Sequence, residues 1–260
     1  MTPFRIEVKS QCIAGIEQLQ ANAAANAGAR QIEKDSCSGR KLAICGGGPL
    51  LANDLEALRT WDGDIWAINY TVEWLRDRGI DATLFTVDPQ PFATTADSAI
   101  ISTLCHPSVF ESLGDRALAF NSIESHADGF PGGTASASRA PSISFFLGYR
   151  DVSFFGCEGS LGDATHVDRD ESYPAQLIVR AGDGEYRTIL PFLVQCEELS
   201  MLIRTFPDVY KNRSSGLLAA MIEHPDTWAV VAVSEELKRH LEAENGAQGL
   251  YDTPYPLKAA

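Results

Sequence analysis

KLAICGGGPLLANDLEALR, residues 41–59, decides how the rest of the chain is read. A short apolar run, Leu42 to Cys45, has the length of a buried strand and ends in Gly46, Gly47 and Gly48, with Pro49 behind them. Glycine lacks a Cβ, so its backbone can take positive φ and approach an anion that a larger side chain would block. Proline suits the first turn of a helix, where its missing N–H costs no bond. Leu51, Leu55 and Leu58 then recur at helical spacing. A strand, a glycine turn and a helix N-terminus aimed at that turn make an anion-binding corner, of the kind that holds a nucleotide phosphate. The stretch is neither the dinucleotide GxGxxG nor a P-loop, and no lysine follows it to neutralise a β- or γ-phosphate. A tight strand-to-helix turn without a ligand is the plainer reading of the same glycines.

Outward from this corner, strand and helix alternate. DIWAINY (64–70) reads as a strand ending at Asn69 and Tyr70, and TVEWLRDRG (71–79) as a helix closed by Gly79. ATLFTVDPQPF (82–92) is a strand that stops at Asp88, because Pro89 and Pro91 cannot continue a ladder. AIISTLC (99–105), followed by His106 and Pro107, and RALAFNS (116–122) are two further short strands. A second glycine loop, Gly132 and Gly133, precedes Thr134 and Ser136, either of which can cap the next helix. That helix ends at Gly148 and contains Pro141, which predicts a kink or a late start. DVSFFGCEG (151–159) is the next strand, and QLIVRAGDGEYRTILPF (176–192) is a β-hairpin around Asp183 and Gly184. PFLVQCEELSMLIRTFP (191–207) is an amphipathic helix, VYKNRSSG (209–216) a short strand and loop, and SEELKRHLEAENG (234–246) a final helix. Residues 10–33, with Ile13, Ile16 and Leu19 at helical spacing, form an N-terminal helix. The pattern predicts an α/β fold with a doubly wound, mainly parallel Rossmann-like sheet. A helical arm over residues 1–40 precedes a nucleotide-binding domain over 41–260, which carries a C-terminal hairpin and helical layer.

Composition bounds the partners. With 260 residues, 45% of them hydrophobic, the chain needs no staples to hold a core. Its six cysteines show no CxxC pair and no metal-ligand spacing, and Cys45 and Cys157 sit in apolar strand runs as small core residues do. No signal-like start and no apolar stretch of membrane-spanning length is present, so a cytoplasmic location is expected, without a membrane partner. A net charge of −14 argues against nucleic acid, whose binding rests on clustered Lys and Arg. A small-molecule nucleotide donor and a separate acceptor remain as the expected partners.

Open parallel sheets bind ligands outside the carboxyl ends of their strands. Gly46, Gly47, Gly48, Asn69, Asp88, Gly132, Gly133, Thr134 and Glu158 all fall at such ends. Asn69 can offer an amide to phosphate, ribose or base, or can simply end a strand. Asp88 can hold Mg²⁺ or a hydroxyl, or can begin a turn. Thr134 and Ser136 can bind phosphate or serve as an N-cap. His166 lies in a loop with Asp163, Asp168 and Asp170, which raise its pKa and suit it to general acid or base work; a solvated loop histidine is the alternative. No Ser-His-Asp set can be assembled from the spacing.

The ordered set LAICGGGPLL, AINY, LFTVDPQP and GGTASASRAPSISFFLGYRDVSFFGCEGS, with His166 close behind, resembles the 6-hydroxymethylpterin diphosphokinase MptE-like family. That family also covers motility accessory factor-type glycosyltransferases, and the set is similar more distantly to bacterial sialyltransferases that use a cytidine-monophosphate sugar. The likeness spans residues 41–216. It implies that Gly46, Gly48 and Asn69 contact nucleotide phosphate and sugar, that Asp88 stands in the active cleft, and that Gly133, Thr134 and Ser136 line a second phosphate loop. Two positions depart from the family pattern: Leu50 replaces a serine and Glu158 an aspartate. Three functions follow as expectations. One is a nucleotide-dependent transferase moving diphosphate from ATP to a hydroxymethyl acceptor, with Mg²⁺ held by Asp88 beside Glu158. The second is a glycosyltransferase using a nucleotide-activated acidic sugar of sialyl or pseudaminyl type, with His166 as base and metal optional. The third is a nucleotide-binding module without catalysis, motivated by Leu50 and Glu158.

Overall fold

The computed structural model describes residues 14–122, 129–170, 172–173, 176–235 and 239. Its strands are β1 (Lys41–Cys45), β2 (Asp64–Ile68), β3 (Thr83–Thr86), β4 (Ala99–Ser102), β5 (Ala117–Phe120), β6 (Asp151–Phe155), β7 (Leu177–Ala181), β8 (Gly184–Thr188), β9 (Tyr210–Asn212) and β10 (Ala229–Val233). Seven of them form one parallel sheet in the order β5-β4-β3-β2-β1-β6-β9, and β10-β7-β8 form a small antiparallel sheet. The helices are α1 (Ile16–Ala25), α2 (Leu55–Arg59), α3 (Thr71–Arg76), α4 (Pro107–Leu113), α5 (Ser136–Phe146), α6 (Leu190–Thr205) and α7 (Gly216–Glu223). The doubly wound, mainly parallel Rossmann-like sheet read from the sequence is the observed one.

Side chains that alternate along each central strand feed two separate cores, one on each face of the sheet. Leu42 and Ile44 of β1, Trp66 and Ile68 of β2, Phe85 of β3 and Phe154 of β6 pack with Ala140 and Ile143 of α5, Leu199 of α6 and Leu218 of α7. Ala43, Cys45, Ala67, Leu84 and Phe155 point the other way, to Leu58 of α2, Leu75 of α3 and Val109 of α4. Trp66 stacks on Phe85 at 5.3 Å and Phe85 on Phe120 at 5.4 Å, which ties three strands together through one row of rings. Such pairs add about 0.5–1.5 kcal/mol each beyond their buried area.

Several elements differ from expectation. The helix after Gly48 begins as a 3-10 turn, Pro49–Asp54, before the five residues of α2. Helix α4 appears where only His106 and Pro107 were noted; His106 Nδ1 accepts the Ser108 N–H at 3.2 Å and caps it, with Pro107 in its first turn. Strand β10 and helix α7 were not expected, and β10 makes the hairpin three-stranded. The hairpin turn is Gly182-Asp183, one residue earlier than read, with Gly182 at φ 57°. Pro141 lies within α5, which starts at Ser136 and not late. The final helix expected over 234–246 falls almost wholly outside the described residues.

Helix α1 is shorter than the 10–33 span, and two of its asparagines tie it to the sheet. Asn22 Nδ2 donates to Leu104 O at 2.9 Å and Pro89 O at 3.4 Å, and Asn26 Nδ2 donates to Thr103 O at 2.9 Å and Cys105 O at 2.8 Å. These carbonyls follow β3 and β4 directly, so α1 lies across the carboxyl ends of those strands. Asn22→Ala leaves both carbonyls without their donor, and chemical denaturation is expected to show a loss of about 1–3 kcal/mol.

Candidate functional site

Strand order reverses between β1 and β6, the switch point at which doubly wound sheets open a crevice. A cleft of about 800 Å³ lies there. Gly46, Gly47, Gly48, Asn69, Asp88, Gly132, Gly133, Thr134, Ser136 and His166 all line it. Glu158 does not.

The three glycines of the first loop have three different reasons to be glycine. A Cβ on Gly46 would run into the backbone carbonyl of Gly156, one on Gly48 into the carboxylate of Glu158, and one on Gly47 would meet only Thr71 Oγ1 at 3.1 Å and His166 Cδ2 at 3.6 Å. Most of the loop's donors are used within the fold. The Gly46 N–H donates to Phe155 O and the Gly48 N–H to Gly156 O, both at 2.8 Å, and the Leu50 N–H donates to Glu158 Oε1 at 2.6 Å. Among the described residues this leaves the Gly47 N–H, since Pro49 has none. The anion-binding corner anticipated from the sequence is therefore largely satisfied by β6 and by Glu158. This is also where Glu158 departs from its expected place beside Asp88: its longer arm reaches the first turn after the glycines, and its carboxylate is buried there, 1% exposed. Burial pushes its pKa up, the Leu50 N–H opposes this, and the charge of Asp54 adds to it.

The second loop is more open. Thr134 donates its N–H and hydroxyl to the Glu198 carboxylate, at 3.1 and 3.2 Å, which anchors the loop to α6. Ala135 is the N-cap position of α5, and its N–H donates to Ser138 Oγ at 3.1 Å, so neither Thr134 nor Ser136 caps the helix. Ser136 Oγ instead accepts the Val87 N–H at 3.4 Å. Among the described residues the N–H groups of Ser136, Ala137 and Ser138 have no protein acceptor, although all three residues are buried. Buried N–H groups at a helix start, beside a cleft, suit an anion. Arg139, held by Nη1 donating to Phe130 O at 2.8 Å, lines the cleft in the same turn.

Asn69 sits at φ 50°, in the left-handed region that asparagine tolerates better than most residues. Its Oδ1 is buried without a hydrogen-bond partner, so it can accept from a ligand. Asp88 shapes its own turn, with Oδ1 accepting the Gln90 N–H at 2.9 Å. The His166 loop is pinned to the first glycine loop by the Val167 N–H donating to Gly47 O at 2.9 Å. The His166 ring packs edge-on to Phe192 at 5.8 Å and beside Tyr173 at 6.1 Å. Of the acids in its loop, Asp168 pairs with Arg169 at 2.8 Å, and Asp170 accepts the Thr165 N–H at 3.2 Å. Arg169 lies over the ring of Tyr70, 5.2 Å from its centre, and Tyr70 is 44% exposed at the cleft. Arg169, Phe192 and Gln195 line the cleft but carried no motif in the sequence.

These features stand on a fold seen before. The chain is similar in structure to the MAf glycosyltransferase from Magnetospirillum magneticum AMB-1. The TM-score is 0.61, with 14% sequence identity, over 92% of this chain and 43% of that one. The chain thus spans less than half the length of that protein, and the likeness is one of fold. No protein-family model matches the chain, and no curated protein matches it in sequence.

Glu158 does not line the cleft, so it does not stand beside Asp88 as a shared metal ligand; among the described residues no group of three or more His, Cys, Asp or Glu side chains is placed to hold a metal ion. No helix among the described residues is long and apolar enough to cross a membrane.

Proposed function

We propose that the chain transfers an acidic sugar, of sialyl or pseudaminyl type, from a cytidine-monophosphate donor to an acceptor hydroxyl. The observation that carries this reading is the inequality of the two loops. The first has used all its donors but the Gly47 N–H on the end of β6 and on Glu158, whereas among the described residues the start of α5 has three N–H groups with no protein acceptor, in a turn whose Arg139 lines the cleft. That is provision for one phosphate. Diphosphate transfer from ATP would require several phosphates and their metal to be gripped, with no lysine in either loop and Glu158 turned away from Asp88. The fold shared with a glycosyltransferase supports the same choice.

In this mechanism the α5 start and Arg139 hold the donor phosphate, and Asn69 Oδ1 accepts from a hydroxyl or amine of the nucleoside. His166 takes the proton of the acceptor hydroxyl as its oxygen attacks the anomeric carbon. The bond from that carbon to the phosphate oxygen breaks, and the nucleoside monophosphate leaves with the electron pair. Charge developing on the leaving phosphate is met by donors already in place, which is where such sites gain most. Asp88 orients the acceptor hydroxyl.

Calorimetric titration with CMP and with ATP, each in EDTA and in Mg²⁺, tests the reading. CMP is expected to bind in EDTA, and Arg139→Gln to weaken it about tenfold, as loss of a charge-assisted hydrogen bond does. Tight Mg²⁺-dependent ATP binding without CMP binding would restore the diphosphokinase reading.

A further inference from the structure

A second cavity, about 150 Å³, adjoins the first glycine loop and shares only Gly156 with the large cleft. Two carboxylates line it. Glu158 uses Oε1 on the Leu50 N–H, while Oε2 is buried with no hydrogen-bond partner. Among the described residues Asp54, half-buried at the end of the 3-10 turn, has neither a hydrogen bond nor an ion pair for its carboxylate. Arg213 lines the same cavity but is exposed and forms no ion pair with either acid. Buried carboxylates normally survive by pairing, by hydrogen bonding or by coordinating a metal, because desolvation of the bare charge is expensive. The remaining polar side chains at the cavity, Asn53 and Ser215 among them, offer neutral oxygens, and no sulfur or imidazole is present. An all-oxygen set with two carboxylates is chemistry for a hard cation.

We propose that this cavity binds a hard divalent cation, Ca²⁺ or Mg²⁺, through the carboxylates of Glu158 and Asp54, with Asn53 and Ser215 as neutral oxygen donors. The cation clips the turn after the glycine loop to the segments that follow β6 and β9, and so fixes the β1–β6 switch point from outside the cleft. This site is independent of the transferase reading, since none of its ligands touches the cleft. Desolvation raises the pKa of both acids, Asp54 adding to Glu158, as expected where a counter-charge is missing.

Thermal unfolding and calorimetry of the full chain, stripped with EDTA and then titrated with CaCl₂ or MgCl₂, test the site. At saturation one of the two salts is expected to raise Tm by about 5 °C. The rise should vanish in Glu158→Gln, which keeps an acceptor for Leu50, and in Asp54→Asn, at a position tolerant enough to fold if the first variant does not. It should survive in Asp88→Asn, which separates this site from any metal drawn into the cleft. Arg213→Gln should tighten cation binding several-fold by removing a competing positive charge. No rise with either salt, or a rise that persists without Glu158 and Asp54, overturns the proposal. So does an Arg213→Gln protein that is destabilised and unresponsive to both salts, because the guanidinium would then be the counter-ion.

Discussion

Gly46→Ala is expected to destabilise the protein by about 2–3 kcal/mol, near the upper end of what overpacking a rigid site costs. The new methyl group would enter the space of the Gly156 carbonyl, with Cys157 Sγ at 2.9 Å on its other side. Neither neighbour can turn away. Gly156 sits at φ 59° directly after β6, its carbonyl accepts the Gly48 N–H, and Cys157 is fully buried between the sheet and α6. Relief therefore requires β1 and β6 to part at the carboxyl end of their pairing, where Cys45 lies opposite Phe155. Thermal unfolding should show a fall in Tm of roughly 5–10 °C. Gly47→Ala is the control: its methyl meets the ends of two side chains, Thr71 and His166, and no backbone. That variant should unfold within about 1 kcal/mol of wild type, the ordinary range for a tolerated substitution, while changing ligand affinity, because Gly47 lines the cleft and is the one of the three whose N–H has no acceptor among the described residues. Equal loss of stability in both variants would show that the glycines serve one shared turn and not three separate contacts.

That contrast also marks how far the sequence reaches. The strands are legible because a two-residue period sorts Leu42 and Ile44 from Ala43 and Cys45, and each set has its own helices to pack against. The cleft is legible because strand ends in an open parallel sheet converge, which places Asn69, Asp88 and both glycine loops together without any contact being known. Helix α4 escapes because it has seven residues and buries two apolar side chains, Val109 and Leu113, too few for a periodic signal. Strand β10 has a bulge between Val230 and Ala232, which breaks the alternation that would reveal it. Which loop can hold an anion is hidden for another reason. Three adjacent glycines look equally free until Phe155 and Gly156, at and just past the end of β6 and more than a hundred residues later, take two of their N–H groups and Glu158 takes the next donor. The direction of the Glu158 side chain follows from its length and from Leu50, and neither residue type signals it alone.

His166→Ala is expected to lower the rate of donor consumption by about 10²–10⁴-fold, the usual contribution of a positioned general base, while CMP affinity stays within about threefold of wild type. Donor hydrolysis by water gives the readout, with a cytidine-monophosphate sialic acid as substrate, because the same base can activate water. The separation of rate from affinity follows from the geometry. The phosphate site proposed above lies at the start of α5, on residues 136–139, whereas His166 is carried by a different loop that is fastened to Gly47 O through Val167 and buttressed by Phe192. Removing the imidazole leaves the Val167 backbone bond in place, so the loop keeps its anchor. The pH profile gives an independent sign. In wild type the rate should rise with pH as the imidazole loses its proton and becomes able to accept one, and His166→Ala should lack that limb. Asp88→Asn should keep the limb and raise the acceptor KM, because the amide still hydrogen-bonds a hydroxyl but no longer attracts it as a charge. A His166→Ala protein that hydrolyses the donor at the wild-type rate, or loses CMP affinity in step with rate, removes the histidine from the reaction and leaves Asp88 as the base.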